Sequence, residues 1–562
     1  MSESSKETFL SRVLRVDDVD RAVFSIALPN IISNISTPLV GLVGSYVAGH
    51  LGSKGKMAGV GLGTSSFNVV YLVFIFLQKG TTGLTAQAKG AADYAEVRSC
   101  AGRFISLGLL MGITLLTLRD QLRSVIFTYL LPPPSAESAA AAHDYFNARL
   151  LGAPAAFGNF AVQGWLNGMQ QPKRVLTQQL ILNIVNSACC FFLSLSLGGK
   201  GLGLEATGVG LADAIAQSTA FVFGLLQVVL ALTGCPRGEK LPGHWDMKTL
   251  FNASRLKEGA VLSTNILLRS VCISVVSTSF SRIGSTFGEA ILSANIILAQ
   301  MQTLMSYGVD GFSNACEALV GEAIGAKSPE DLRKAVFSSF KWGFALSLAF
   351  CSVYTFFGQF IFEHMTTLPS VQEAAMHYLV WISVAPMLTV WSYLLDGVYV
   401  GATLSFEMVS SMVVCATVYC IVLILLVYVG NFENHGLLGA FYTFQVMRGV
   451  TLGRQYYKVK AKAEPEKGAF RATSGDYSEL PADDHEQPRK AISMPEAKSN
   501  QSLFDQDIVS RSKSEKSPLN RTRNLEQYMR ELLTPDVGPN VPMELVRTLS
   551  KGEAGFLNAF GK

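Results

Sequence analysis

Several ionisable side chains stand inside long apolar stretches in the second half of this 562-residue chain. The clearest candidates for chemistry among them are Arg269, Asp310, Glu317, Glu322 and Asp396. Ionisable groups in a membrane-like environment are costly and usually serve a function. A carboxyl group in a low-dielectric cavity has a raised pKa, so it can bind and release a proton near neutral pH, or exchange it for a sodium ion. These residues therefore predict ion-coupled chemistry within a membrane.

Three carboxylates are the candidates for binding a coupling ion. Asp396 ranks first because it stands between apolar neighbours in the run LLDG. Asp310 and Glu317 are seven residues apart and therefore share one face of a helix, with Asn314 between them. The alternative is structural, with Arg269 neutralising Asp310 or Glu317 in an ion pair.

Uncharged polar side chains supply most candidates for a solute cavity. The apolar stretches of the first half contain Lys79 and Asp213 but little other charge near their centres. Asn183 and Asn186 are three residues apart and share a helix face, where they either line a cavity or form hydrogen bonds between helices. The predicted cavity residues are Asn34, Gln78, Asn183, Asn186, Arg269 and Asn314.

The composition places these residues in an all-α integral membrane protein. Hydrophobic residues make up 49% of the chain and charged residues only 16%, whereas a soluble domain carries about 25% charged residues. The apolar residues form runs close to the roughly 20 residues that a membrane-spanning helix needs. About twelve spans are predicted, at 22–47, 57–90, 100–118, 145–168, 176–197, 206–232, 257–282, 290–325, 336–362, 372–401, 407–429 and 435–455.

An internal repeat divides these spans into two sets of six. The run AKGA at 88–91 recurs 235 residues later as AIGA at 323–326, and the two longest spans share that offset. Because six crossings is an even number, both halves have the same orientation. We therefore expect two six-helix lobes related by an axis along the membrane normal, with a substrate site between them.

Charge and composition set the expected boundaries. Lysines and arginines concentrate in the N-terminal segment and in every second loop, which predicts that both termini are cytoplasmic. The polar, Ser- and Pro-containing C-terminal region is expected to be disordered. The predicted parts are a cytoplasmic segment 1–21, a first lobe 22–232, a cytoplasmic linker 233–256, a second lobe 257–456 and a cytoplasmic tail 457–562.

Several classes of protein are disfavoured. The sequence has no GxxxxGK[ST] run for ATP, no GxSxG or HExxH motif, and no CxxC or Cys/His spacing for a metal. No patch of mixed basic and aromatic residues suggests nucleic-acid binding. We expect a non-enzymatic monomer without cofactor or metal, whose partners are a small organic solute, a coupling ion and lipid.

Four motifs resemble the DinF-like branch of the MATE (multidrug and toxic compound extrusion) family. They are IALPNIISNIS at 26–36, GTTGLTAQA at 80–88, YGVDGF at 307–312 and YLLDG at 393–397. The resemblance extends over roughly 18–455. It implies two six-helix lobes in a V and alternating access driven by a proton or sodium gradient. Substrates in the family are organic cations, drugs, flavonoids, and organic anions such as citrate.

The sequence departs from the family pattern at two positions. Gly44 stands where family members usually have an aspartate in the first helix, and Cys190 where many have one in the fifth. Any coupling must then depend on the second-lobe carboxylates. The loss of acidic groups, with Lys79 and Arg269 nearby, favours an anionic or neutral substrate.

The expected function is an antiporter that exports a small organic solute in exchange for protons or sodium ions. The alternatives are an uncoupled facilitator, a flippase for a lipid-linked precursor, and a membrane sensor or scaffold that does not transport. The plasma membrane and organelle membranes all stay open as locations.

Overall fold

The computed structural model describes residues 17–195, 201–233 and 252–465, which form sixteen α-helices. The first lobe contains nine of them. These are α1 Asp18–Gly49, α2 Lys54–Phe74, α3 Phe76–Gly90, α4 Tyr94–Thr117, α5 Arg119–Val125, α6 Ala136–Leu150, α7 Ala153–Gly168, α8 Pro172–Ser194 and α9 Glu205–Thr233.

The second lobe contains the other seven described helices. These are α10 Ala253–Gly284, α11 Glu289–Gly325, α12 Pro329–Met365, α13 Pro369–His377, α14 Leu379–Gly401, α15 Ser405–Leu423 and α16 Glu433–Ala463. Local sequence marks several helix starts. The Asp93 carboxylate accepts a hydrogen bond from the N–H of Glu96 at the start of α4, and Pro172 and Pro369 occupy first helical positions.

Eight helical segments of the described residues are long and apolar enough to cross a bilayer. The other four predicted spans are also helical, but they are shorter or more polar than these eight. The predicted span 57–90 is divided at Ile75 into α2 and α3, and the predicted span 145–168 belongs to α6 and α7. Helices α11 and α16 are continuous but bring charged residues into the interior. The eight segments are Asp18–Gly49, Tyr94–Thr117, Pro172–Ser194, Glu205–Thr233, Ala253–Phe287, Pro329–Met365, Leu379–Gly401 and Ser405–Val429.

The helix ends refine the expected boundaries. Helix α1 begins at Asp18, and α16 continues to Ala463, seven residues beyond the predicted end of the second lobe. Most of the predicted linker 233–256 and nearly all of the predicted tail 457–562 lie outside the described residues.

Helix α1 packs against both lobes. Val23, Ile26 and Ala27, near its start, are buried in the hydrophobic core of the second lobe. Val47 and Ala48, near its end, are buried in the core of the first. The first helix therefore connects the two cores instead of belonging to one.

Close glycine contacts build the interior of the first lobe. Gly164 and Gly168 on α7 lie against the backbone carbonyl groups of Gln78 and Thr82 on α3. A Cβ atom at either glycine would overlap these carbonyls. Small residues at such positions let two membrane helices approach closely.

The second lobe repeats this contact at equivalent positions. Gly397 and Gly401 on α14 lie against the carbonyl groups of Ser313 and Glu317 on α11. Ser313 and Glu317 follow Gln78 and Thr82 by the same 235 residues that separate the repeated motifs. The repeat predicted from the sequence is therefore present in the packing.

The two lobes meet where α3 and α11 end. Gly90 lies against the carbonyl group of Glu322, and Gly325 lies against that of Gln87. Each contact is the counterpart of the other under the repeat, so the lobes are related by a two-fold axis between α3 and α11. We call this region the closed end.

Candidate functional site

A cavity of about 1370 Å³ lies between the lobes. On α1 its lining extends from Asn30 to Ser45, which corresponds to a length of about 20 Å along the helix. On α3 and α11 the lining stops at Lys79 and Asn314, and beyond them the helices pack together at the closed end. The cavity therefore ends at mid-molecule on this side.

Seven charged side chains of the described residues line the cavity. Four are cationic and three are carboxylates, and almost all of them are paired. They are Lys79, Arg149, Arg269, Arg448, Asp213, Asp310 and Asp396.

Asp396 is held between two arginines. Arg269 from α10 and Arg448 from α16 both donate to its Oδ2 atom, and its side chain is 13% exposed. Arg448 also donates to Oε1 of Gln445 over 2.5 Å and lies over the ring of Tyr393. The first-ranked carboxylate is therefore the shared counter-ion of two guanidinium groups, and its Oδ2 atom is already occupied by partners from the protein.

Arg448 was not among the predicted site residues. The predicted span 435–455 contains two arginines, Arg448 and Arg454, and the position of Arg448 nearer the middle of the span was the signal available in the sequence. Its partner Asp396 is 52 residues away, and only tertiary packing brings them together.

Lys79 joins the lobes at the end of the cavity. Its Nζ atom lies 2.9 Å from Oε2 of Glu317 and donates to Oδ1 of Asn314 over 2.7 Å. Glu317 lies behind Lys79 and is 1% exposed. The cation that neutralises Glu317 is therefore Lys79 of the first lobe. The alternative pairing of Arg269 with Asp310 or Glu317 is not formed, because Arg269 pairs with Asp396 instead.

Asp310 is the lining carboxylate without a direct partner. Among the described residues it makes no ion pair and no side-chain hydrogen bond, although it lies within electrostatic range of Lys79, Arg269 and Arg448. It is partly buried, one helical turn before Asn314. Its carboxylate is available to a proton, a metal cation or a solute in the cavity.

A second charged cluster lies in the first lobe. Asp213 on α9 forms a buried ion pair with Arg149 on α6. The guanidinium group of Arg149 lies 4.6 Å from the ring centre of Phe67 and 5.3 Å from that of Tyr71, and donates to the hydroxyl of Tyr145 over 2.6 Å. Asp213 is thus closed off by a cation that is itself surrounded by aromatic rings.

Arg149 was also not predicted as a site residue, although it lies in the predicted span 145–168. The missing aspartates at Gly44 and Cys190 leave Asp213 as the first-lobe carboxylate on the cavity wall. A Cβ at Gly44 would contact Val209, one turn before Asp213. The cavity-lining carboxylate of the first lobe is therefore on α9, where Arg149 neutralises it.

Five of the six predicted cavity residues line the cavity. Asn34 does so while donating a long hydrogen bond, 3.4 Å, to the carbonyl of Tyr307, which links α1 to the second lobe. The five are Asn34, Gln78, Asn186, Arg269 and Asn314.

Asn183 differs from the expectation of a cavity residue. Its amide donates to the carbonyl of Ser36 over 3.0 Å and accepts from Gln179. Three residues turn a helix by about 300°, so the two side chains point about 60° apart around the helix axis. Asn183 therefore faces α1, while Asn186 on the same broad face reaches the cavity. Asn183 thus makes the hydrogen bond between helices that was its alternative role.

Two matched helical lobes around a charged central cavity are typical of membrane transporters. Residues 29–192 and 266–429 each match the MatE family, one stretch in each lobe. The chain belongs to the MatE family.

Curated relatives agree with this assignment. The chain is 32% identical over 437 residues to DNA damage-inducible protein F of Escherichia coli, and the match covers 77% of this chain and 91% of that protein. It is 26% identical over 331 residues to a probable multidrug resistance protein NorM of Xanthomonas axonopodis, covering 56% of this chain and 67% of that protein.

Solved structures share the fold. The Vibrio cholerae MATE transporter VcmN in its bent form matches with a TM-score of 0.69 and 16% identity, over 79% of this chain and 98% of that one. A MOP superfamily transporter from Pyrococcus furiosus, described as having a binding pocket of reverse polarity, matches with a TM-score of 0.69 and 16% identity, over 82% and 100% of the two chains. At these identities the likeness concerns the fold.

Proposed function

We propose that this protein is a secondary active transporter that exports a small organic solute in exchange for protons or sodium ions. The observation that carries the proposal is Asp310. It is a carboxylate without an ion pair among the described residues, on the wall of a cavity that is large enough for a small organic molecule. An ion bound at Asp310 and a solute in the cavity would occupy neighbouring space, and their competition is the basis of exchange.

The other two predicted coupling residues have different roles in this proposal. Asp396 holds Arg269 and Arg448 in place as their shared anion. Glu317 is already neutralised by Lys79. The initial binding of the coupling ion is therefore assigned to Asp310.

The charge of the cavity supports a neutral or anionic solute. Its described lining has four cationic side chains and three carboxylates. Glu317, which lies outside the lining, neutralises one of the four cations, Lys79. A cationic solute would meet a surface with no excess of negative charge. The amides of Asn34, Gln78 and Asn186 would provide neutral hydrogen-bonding groups.

The cytoplasmic location of both termini belongs to the same proposal. With α1 starting in the cytoplasm, α3 and α11 end there too, so the closed end is cytoplasmic and the cavity lies toward the opposite face. Accessibility of reporter tags at the two ends of the chain tests this orientation. Tags on opposite sides of the membrane would contradict it.

Flux in reconstituted vesicles tests the function. Purified protein is reconstituted, and labelled solutes of each charge class, an organic cation, a neutral phenolic and citrate, are followed with and without a pH or sodium gradient. The proposal expects a solute to move against its own gradient when protons or sodium move in the opposite direction.

The alternatives predict different results. A facilitator equilibrates the solute whatever the ion gradient is. A sensor or scaffold moves no solute under any gradient. Movement of solute and ion in the same direction would contradict exchange.

A further inference from the structure

The contact of Lys79 with Asn314 and Glu317 at the end of the cavity, called the charged bridge below, connects equivalent positions of the two repeats. Lys79 and Asn314 are 235 residues apart, the offset of the repeat, and they are in direct contact. The pair therefore lies at the two-fold axis between the lobes. The contact is polar, faces the cavity on one side and borders the closed end on the other.

The bridge is charged on one side of the axis alone. Lys79 pairs with Glu317 of the second lobe. The position equivalent to Glu317 in the first lobe is Thr82, and the position equivalent to Lys79 in the second is Asn314. The counterpart of the ion pair is thus a pair of neutral side chains.

Glu317 depends on Lys79 for its charge balance. Its side chain is 1% exposed, so water cannot replace the lysine. Arg269 on α10 also acts electrostatically on Glu317 but is paired with Asp396, and Thr82 on α3 adds only a neutral hydrogen bond. Moving Lys79 away would leave a buried carboxylate without a counter-charge.

Opening the closed end requires that movement, because Lys79 and Glu317 lie on different lobes. We propose that the Lys79–Glu317 pair is an ion-controlled lock on the closed end. The pair holds the lobes together while Glu317 is ionised, and a proton or sodium ion that takes the place of Lys79 at Glu317 releases them. This inference rests on the proposed function and adds the step that couples ion binding to opening.

A second ion pair between the lobes provides a matched comparison. The Nζ atom of Lys89 lies 2.9 Å from Oε1 of Glu322, but the two side chains are 24% and 35% exposed. Water can solvate these two charges when the lobes separate, so this pair should contribute little to the lock.

The lock can be tested by distance measurement between spin labels, without any transport assay. Labels are placed on exposed positions beside the closed end, Lys173→Cys in the first lobe and Arg333→Cys in the second, in a variant without native cysteines and in lipid nanodiscs. We expect one short distance for otherwise unchanged protein at neutral pH without sodium. A longer distance should gain population when the pH falls or sodium is added.

Three variants sharpen the result. Glu317→Gln and Lys79→Met should each raise the ratio of long to short distances by about tenfold or more, because a buried ion pair has been removed. In Glu317→Gln this ratio should no longer respond to pH or sodium. Exchanging the charges by Lys79→Glu with Glu317→Lys should restore the short distance.

The control is Lys89→Met, which should leave the distances unchanged. Distances that are the same in Lys79→Met, Glu317→Gln and the parent protein would overturn the lock. Because no flux is measured, this outcome is independent of whether Asp310 couples transport. If Glu317→Gln does not fold, Lys79→Met and the charge exchange still decide between the outcomes.

Discussion

The two lobes share their packing but differ in how they treat charge. In the first lobe, Asp213 is paired one to one with Arg149 inside a group of aromatic rings. In the second lobe, Asp396 is shared by two arginines, and Asp310 has no direct partner in the part of the chain that the structure describes. The repeated chain thus keeps its backbone contacts while its ionisable residues have diverged.

This difference suggests that both lobes provide the packing frame and that the second lobe provides the site for ion binding. Glycine–carbonyl contacts of the same kind give both lobes a rigid frame. The first-lobe carboxylate is neutralised by an internal cation, which leaves little for an external ion to bind. The second lobe keeps one carboxylate available, so ion binding is expected there.

The largest effect on stability is expected from Asp396→Ala. Removing this anion leaves Arg269 and Arg448 facing each other without compensation, and breaking a buried ion pair costs about 3–5 kcal/mol. Thermal unfolding in detergent measures the change. An unchanged melting temperature would show that the arginine pair does not depend on Asp396.

A smaller loss is expected from Arg149→Met in the first lobe. Asp213 would lose its partner at a cost of roughly 3 kcal/mol, the lower end of the range for a buried pair. Adding Asp213→Asn should recover most of the stability at neutral pH, and a double variant no more stable than Arg149→Met would contradict the pairing.

The repeated glycine contacts should respond alike in the two lobes. Gly164→Ala and Gly397→Ala would each press a methyl group into a facing carbonyl, with a loss of about 2 kcal/mol. Gly61→Ala is the control, because its added methyl group would meet no neighbour within 4 Å. Thermal unfolding of the three variants checks this, and a large loss in one lobe alone would contradict the equivalence.

The smallest effect is expected at the edge of the closed end. Lys89→Met removes an ion pair whose members are partly exposed, and such pairs contribute less than about 1 kcal/mol. Chemical or thermal unfolding should show little change from the parent protein. A loss of stability as large as that of Arg149→Met would mean that the partly exposed Lys89–Glu322 pair contributes as much as the buried Arg149–Asp213 pair, contrary to this expectation.

Much of the fold could be predicted from the sequence because a bilayer imposes simple rules on composition. Long apolar runs gave the helices, and the AKGA and AIGA motifs gave the repeat and its offset. The more polar segments were harder, since the break at Ile75 and the inward charges of α11 and α16 depend on packing.

The site was predicted in part for the same reason. Asp310, Glu317 and Asp396 stand out because charge inside an apolar run is visible in the sequence. Their partners are not visible, since Arg269 is 127 residues from Asp396 and Lys79 is 238 from Glu317. The pairing is set by tertiary contacts, which occupy Asp396 and leave Asp310 without an ion pair among the described residues.

The central claim is that Asp310 couples an ion gradient to solute export, and gradient-driven flux tests it most directly. Asp310→Asn and its parent protein are reconstituted side by side, and accumulation of a transported solute is measured with an opposing pH or sodium gradient. The account predicts that Asp310→Asn still equilibrates the solute but no longer accumulates it. Accumulation equal to that of the parent protein would contradict the assignment.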